Sequence, residues 1–257
     1  MTSYHQQWIA LDSRTRSDLR TILNQDPFEW WEQNRMPESV AEMRFIYALR
    51  IACADPASPD CRAFLQQALA VADRAMREGK LVTGRCSSAF PENRGRLLRV
   101  RAYTEVLLGR PLDEAALRQA SADYIGWCAK FGPSDWDSQL QAYYLTAVRA
   151  ALLGGDATDA RQLLATKKRF NWHAEEHDLL TRLAGDAVEL PLPHARRAEL
   201  LPVMDGYFDK IRDPNYKPQV FLQVHSLRLD LALLRDKYLI SPDGRVDGRR
   251  AVEAIAA

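Results

Sequence analysis

The chain has 257 residues, of which 47% are hydrophobic and 27% charged, and its formal net charge is +1. These values exclude the low-hydropathy, high-charge composition of disordered chains, and they exclude a global field of one sign that would draw the chain to nucleic acid or an anionic membrane. The length lies within the range in which a helical array shares one continuous core, so a single domain over 1–257 is expected.

The first residues, Met1 to Trp8, lack the basic and apolar regions of a signal peptide. No uninterrupted apolar run approaches the roughly 20 residues that cross a bilayer. The four cysteines, Cys53, Cys61, Cys86 and Cys128, form no CxxC pair, which argues against a zinc knuckle or a thioredoxin-type motif. Both features lead us to expect a cytoplasmic protein with reduced thiols.

Apolar residues recur at intervals of three and four almost throughout, and no stretch alternates with a period of two. The expected fold is all-α, an irregular stack of antiparallel helix pairs, α-solenoid-like or a multi-helix bundle, with about ten helices. In chain order they are placed near 13–25, 38–54, 60–79, 94–109, 114–131, 135–153, 157–168, 174–187, 195–212 and 218–238. Ser58-Pro59-Asp60 opens the third of these with proline in its first turn. Leu112 and Leu117 flank Asp113 at the spacing of a hydrophobic staple, and Ser134 with Asp137 has the spacing of a capping box. The segment Lys80 to Asn93 is the longest expected loop. Val220, Val224, Leu227, Leu231, Leu234 and Tyr238 fall on one stripe of the last long helix, and a short terminal helix can follow Asp243-Gly244.

An approximate repeat accompanies this pattern. Val106-Leu107-Leu108-Gly109-Arg110-Pro111 and Ala151-Leu152-Leu153-Gly154-Gly155-Asp156 each end an amphipathic helix, 45 residues apart, the length of a helical hairpin. The regular tetratricopeptide spacing is not met along the chain.

Among motifs that carry chemistry, His173-Ala174-Glu175-Glu176-His177 matches the His-x-x-Glu-His pattern of inverted zinc peptidases. On a helix both imidazoles share a face, with Glu176 placed to activate water, but a third protein ligand is needed. The alternative is a polar first turn whose Glu175, Glu176 and Asp178 favour the helix dipole. No nucleophile elbow, phosphate-binding loop or dinucleotide fingerprint is present, and no cofactor is expected. His5, His194 and His225 are isolated in sequence. The basic segment with Arg85, Arg94, Arg96, Arg99 and Arg101 lacks interleaved aromatics and reads as a solvated helix face, so direct nucleic-acid binding is not expected. Phe28-Glu29-Trp30-Trp31-Glu32 and Asp135-Trp136-Asp137 set large rings beside carboxylates, as protein-binding patches often do. Two adjacent tryptophans on a helix are not both easily buried.

Trp30-Trp31, the turn Leu152-Leu153-Gly154-Gly155-Asp156, and the ending Leu227-Arg228-Leu229-Asp230-Leu231-Ala232-Leu233-Leu234 with Ser241-Pro242-Asp243-Gly244 resemble the all-helical immunity proteins of bacterial polymorphic-toxin and type VI secretion systems. The resemblance implies a protein that binds one secreted toxin, often a nuclease, and neutralises it by protein–protein contact without enzymatic activity. A small-molecule ligand is not expected under this reading. An inhibitor of a basic nuclease cleft presents carboxylates where phosphates otherwise lie. The expected partner surface is Asp135, Asp137, Glu175, Glu176 and Asp178, with Trp136, Trp172, Trp30 and Trp31 as aromatic anchors. The alternatives are a helical-repeat adaptor for another cytoplasmic protein, its binding face the concave side of the stack, and a zinc-dependent hydrolase using His173, Glu176 and His177.

Overall fold

The computed structural model describes residues 13–34, 36–78, 91–130, 138–165, 173–187, 190–213 and 221–256. Twelve α-helices make up this part of the chain: α1 (Ser13–Asn24), α2 (Pro27–Asn34), α3 (Pro37–Ala54), α4 (Pro59–Glu78), α5 (Pro91–Leu107), α6 (Glu114–Lys130), α7 (Ser138–Leu153), α8 (Ala157–Ala165), α9 (Ala174–Asp186), α10 (His194–Arg212), α11 (Phe221–Arg235) and α12 (Gly248–Ala256). A π turn, Asp236–Ile240, extends α11. Four helices, α2, α3, α4 and α5, begin on a proline, whose fixed φ suits the first helical position and whose missing N–H costs nothing there. Among the described residues there is no strand, and no helix is long and apolar enough to cross a membrane.

From α3 to α10 each helix packs on the next, giving the expected stack of helix pairs. α11 does not extend the stack. It contacts α3 and α7 as well as its neighbours α10 and α12, and every residue from Leu227 to Leu234 is buried. This corrects the single-stripe expectation for this helix, because a helix enclosed on all sides must be apolar around most of its circumference. The face of α3 and α7 that α11 covers is thus taken by the chain's own helix.

The two repeated turns are equivalent. In the first, the Gly109 N–H donates to Val106 O and the Arg110 N–H to Glu105 O; in the second, the Gly155 N–H donates to Leu152 O and the Asp156 N–H to Ala151 O. Both are Schellman closures with glycine in the left-handed region, at φ 85° and 79°. The hydrogen bonds pair Gly109 with Gly155, one residue later than the glycine that the sequence strings align. An aspartate caps each following helix: Asp113 Oδ1 accepts from the Ala116 N–H at 2.9 Å, and Asp156 Oδ1 from the Asp159 N–H at 2.9 Å. Leu117 is buried and Leu112 packs on the core, as the staple predicts.

Other differences are local. α2 occupies Pro27–Asn34, between the first two expected helices, where none was placed. α5 begins at Pro91, so Asn93 belongs to a helix rather than to the expected loop. The Ser134–Asp137 capping box and the rest of that loop lie outside the described residues.

Candidate functional site

α9 sorts the His173-to-Asp178 motif by helical phase. Glu176 and His177 turn inward and are buried, His173 at the N-cap is half-buried, and Glu175 and Asp178 face outward. The inward residues join a buried polar network, while the outward ones line a surface groove.

The network is centred on Arg149 of α7. Its Nε donates to Asp230 Oδ2 of α11 at 2.9 Å, its Nη2 donates to Thr146 Oγ1 at 2.8 Å, and its Nη1 donates to Glu176. Asp230 has no exposure and also accepts from the Tyr103 hydroxyl, with Arg99 Nη1 3.6 Å away. The Arg99 guanidinium lies 6.0 Å and 5.9 Å from the ring centres of Tyr103 and Tyr124. Farther along α5, Arg96 grips Glu42 of α3 through Nε at 3.0 Å and Nη2 at 2.6 Å, with Glu38 at 3.9 Å. Charge therefore runs through the interior from α3 to α9, each cation set against a carboxylate, as burial requires.

The electrostatic consequences follow from burial. Desolvation opposes the charge on Arg99, but Tyr124, Asp230 and Tyr103 outweigh it and hold its pKa above the ordinary value. Burial, reinforced by Asp230, pushes the Tyr103 hydroxyl well above its ordinary range, so it serves as a donor. Burial raises Glu42, but Arg96 more than reverses this and holds it below the usual carboxylate range. His173 is lowered by burial and then by Arg149, although Glu176 Oε2 lies 3.5 Å from its Nδ1.

This arrangement corrects two expectations. Glu176 is not a surface carboxylate, because its charge is committed to Arg149. The arginine segment of α5 is divided rather than wholly a solvated face: Arg99 is 8% exposed and Arg96 is enclosed against Glu42, whereas Arg94 and Arg101 stay partly in solvent, Arg94 Nε donating to Asp123 at 2.7 Å and Arg101 forming an ion pair with Asp73 at 3.0 Å. Arg85 lies outside the described residues. The zinc geometry is also disfavoured, since a cation at Glu176 would meet the Arg149 guanidinium. Among the described residues no three His, Cys, Asp or Glu side chains are grouped to hold a metal ion.

Sequence reasoning overlooked Asp230, Arg149, Arg99 and Tyr103 as a unit. A signal existed: Arg149 sits in Ala147-Val148-Arg149-Ala150-Ala151, and Asp230 in Leu229-Asp230-Leu231-Ala232, lone opposite charges inside apolar helices. Charges so placed are almost never buried unless paired.

The outward residues line a groove of about 290 Å³ between α9 and α10, formed by Glu175, Asp178, Leu179 and Arg182 on one side and Val203, Gly206, Tyr207 and Lys210 on the other. Of the expected partner-binding residues, Glu175 and Asp178 thus come together at one surface. Asp135, Trp136, Asp137 and Trp172 lie outside the described residues. Trp31 is 5% exposed and packs against Phe28 at a ring-centre distance of 6.1 Å, with the Arg74 guanidinium 5.1 Å from its ring. Its place is in the core, a correction to its reading as an anchor, whereas Trp30 is half-buried and keeps some surface. A second, apolar cavity of about 420 Å³ lies among α3, α4, the end of α5 and α12, lined by Leu49, Ala52, Cys61, Leu65 and Val252. Burial pushes the Cys61 thiol up to about 11, which keeps it protonated and inert as a nucleophile.

Comparison of the chain with protein-family models, curated proteins and solved structures finds no match.

Proposed function

We propose that this chain is a cytoplasmic immunity protein that binds a cognate secreted toxin, a nuclease in the first instance, and neutralises it by protein–protein contact. The observation that carries the reading is the division of labour within α9. Its inner face is locked to α7 by the Arg149–Glu176 pair, and its outer face presents Glu175 and Asp178 beside a groove. An acidic helix face next to apolar floor residues suits a basic protein surface, because the acid groups steer the encounter and the floor supplies desolvated contact, with Glu175 exchanging its Lys210 contact at 2.5 Å for a cation of the partner.

The test is co-expression with the product of the adjacent gene, scored for toxicity without this chain and for growth with it, together with calorimetric affinity for that purified product. The double charge reversal E175K/D178K is expected to weaken binding at least tenfold and to abolish growth rescue, with helical content unchanged. Unaltered affinity in that variant would remove α9 from the interface. Rescue by a catalytically dead copy of the protein has no meaning here, so the binding constant decides.

A second reading, a helical adaptor for another cytoplasmic protein, is favoured by the equivalence of the Gly109 and Gly155 turns, which closes α5–α6 and α7–α8 in the same way. With α11 covering part of α3 and α7, the α9–α10 groove is the seam left for such a partner. Binding to a protein other than a toxin, without growth rescue, is the outcome that selects this reading.

A further inference from the structure

The apolar cavity of about 420 Å³ has α12 for one wall and α3, α4 and the end of α5 for the others. Unfilled apolar space costs stability, so a wall that is free to move closes over it. α12 is not free, because it is pinned at both ends. At its N-terminal end Gly248 sits so close to α5 that a Cβ there would run into the Val106 carbonyl. Beside this contact the Asp247 N–H donates to Asp236 Oδ2 at 2.5 Å, and Arg250 Nη1 lies 3.3 Å from Asp236 Oδ1. At the C-terminal end Arg228 Nη2 donates to Ile255 O at 2.7 Å, setting its charge against the negative end of the helix dipole. Asp236 and Arg228 are 2% and 5% exposed, so each pin is a buried charge that cannot shift without losing its partner.

Between the pins Ala251 is buried against the core, while Val252 is half-buried and lines the cavity together with Leu49, Ala52, Cys61 and Leu65. The space is thus held open by the fold, as small-molecule sites usually are. Its volume also falls within their range of about 300–1,000 Å³. A cavity of about 150 Å³ already holds a benzene ring, so one aromatic side chain of another protein would leave most of this space empty. The walls offer no charge to a ligand. The thiol of Cys61 stays protonated, and at the mouth Arg249 and Glu253 pair with each other at 3.1 Å. A charged molecule would lose its water here without gaining a counter-charge.

We propose that this cavity is a binding site for one neutral, apolar small molecule of about two to three rings, or an acyl chain of similar volume. Its floor is the α3–α4 surface and its lid the pinned helix α12. The inference goes beyond the toxin-binding reading, which calls for no small molecule, and does not depend on it.

The experiment titrates the full chain with N-phenylnaphthylamine, a neutral fluorophore of this size, and with anilinonaphthalene sulfonate, the same skeleton carrying a charge. Saturable one-to-one binding of the neutral probe is expected, with blue-shifted emission and a raised thermal midpoint, and the sulfonate should bind at least tenfold more weakly. V252W, whose ring enters the cavity from α12, should weaken binding of the neutral probe at least tenfold. C61L adds volume at the α4 wall and should weaken it severalfold. G206L alters the α9–α10 groove instead and should bind the probe within twofold of wild type. Absence of saturable binding by the wild-type chain, equal affinity for the two probes, wild-type affinity in V252W, or a loss in G206L equal to that in V252W each overturns the site. Should V252W lose helical content, C61L carries the test, and wild-type affinity in C61L then overturns it.

Discussion

Arg149 and Asp230 meet at 2.9 Å in the interior, one on α7 and the other on the enclosed helix α11, with side chains 6% and 0% exposed. Their sequence separation makes the pair a clamp between the helical stack and the helix inside it. Removing one partner leaves the other charge buried without compensation. R149M and D230N are each expected to cost about 3–5 kcal/mol in urea unfolding. The double variant should cost less than the sum of the two, because it leaves no isolated charge in this pair. Y103F removes only a donor to the carboxylate, and a loss of about 1.5–3 kcal/mol is expected. A D230N protein as stable as wild type would show that α11 is held by apolar contact alone.

The two Schellman glycines make a paired prediction. At φ 85° and 79°, an alanine at either position adopts the left-handed conformation at a cost of about 1–2 kcal/mol. G109A and G155A should therefore lower stability by similar amounts. G206A should do the opposite and add up to about 1 kcal/mol, since it replaces glycine in a helix interior with open space at the Cβ. Circular-dichroism melts of the three variants check the contrast. A stabilised G109A or a destabilised G206A would contradict the turn and the groove respectively.

Adjacent tryptophans should behave differently. Trp31 is buried between Phe28 and Arg74, so W31A is expected to cost about 3–5 kcal/mol, the range for deleting a large core aromatic. Trp30 keeps part of its surface in solvent, and W30A should cost less. Tryptophan fluorescence of W30F and W31F adds an independent reading, the protein retaining Trp31 showing the stronger protection from an aqueous quencher.

His173 gives a pH dependence with a defined sign. Its folded pKa is lowered below the ordinary 6.5 by burial and by Arg149. Between the two values the unfolded chain carries a proton that the folded chain does not, so stability rises with pH across that window and is lost as pH falls through it. Glu42 acts in a lower window: its folded pKa lies below 4.5, so its stabilisation is present above that value and disappears as pH falls further. H173Q should flatten the stability profile just below neutrality and leave the acid limb unchanged. A profile identical to wild type would place the histidine's proton outside the folding equilibrium.

How much of this was legible in the chain depends on the range of the interaction responsible. The helix positions, the Asp113 cap and the two glycine turns were readable because each is set within a few residues: apolar spacing of three and four, a side-chain oxygen three residues from an N–H, and a glycine that tolerates positive φ. Even so, the register of the second turn, Gly155 rather than Gly154, was decided only by the hydrogen bonds that close it. The surface placement of Glu175 and Asp178 followed from helical phase, but that of Glu176 did not, because its inward turn depends on Arg149 of a different helix. Arg96 and Arg99 read as solvated for the same reason, their carboxylates lying on α3 and α11.

Helical class, caps and the lone opposite charges at Arg149 and Asp230 are all written in the chain. That α11 packs against α3 and α7, that those charges meet, and that Trp31 rather than Trp30 belongs to the core emerged from packing between distant helices. One cause accounts for all three. Local propensity and periodicity act over one or two helical turns, whereas burial of a charge or a ring is settled by whichever distant helix packs over it.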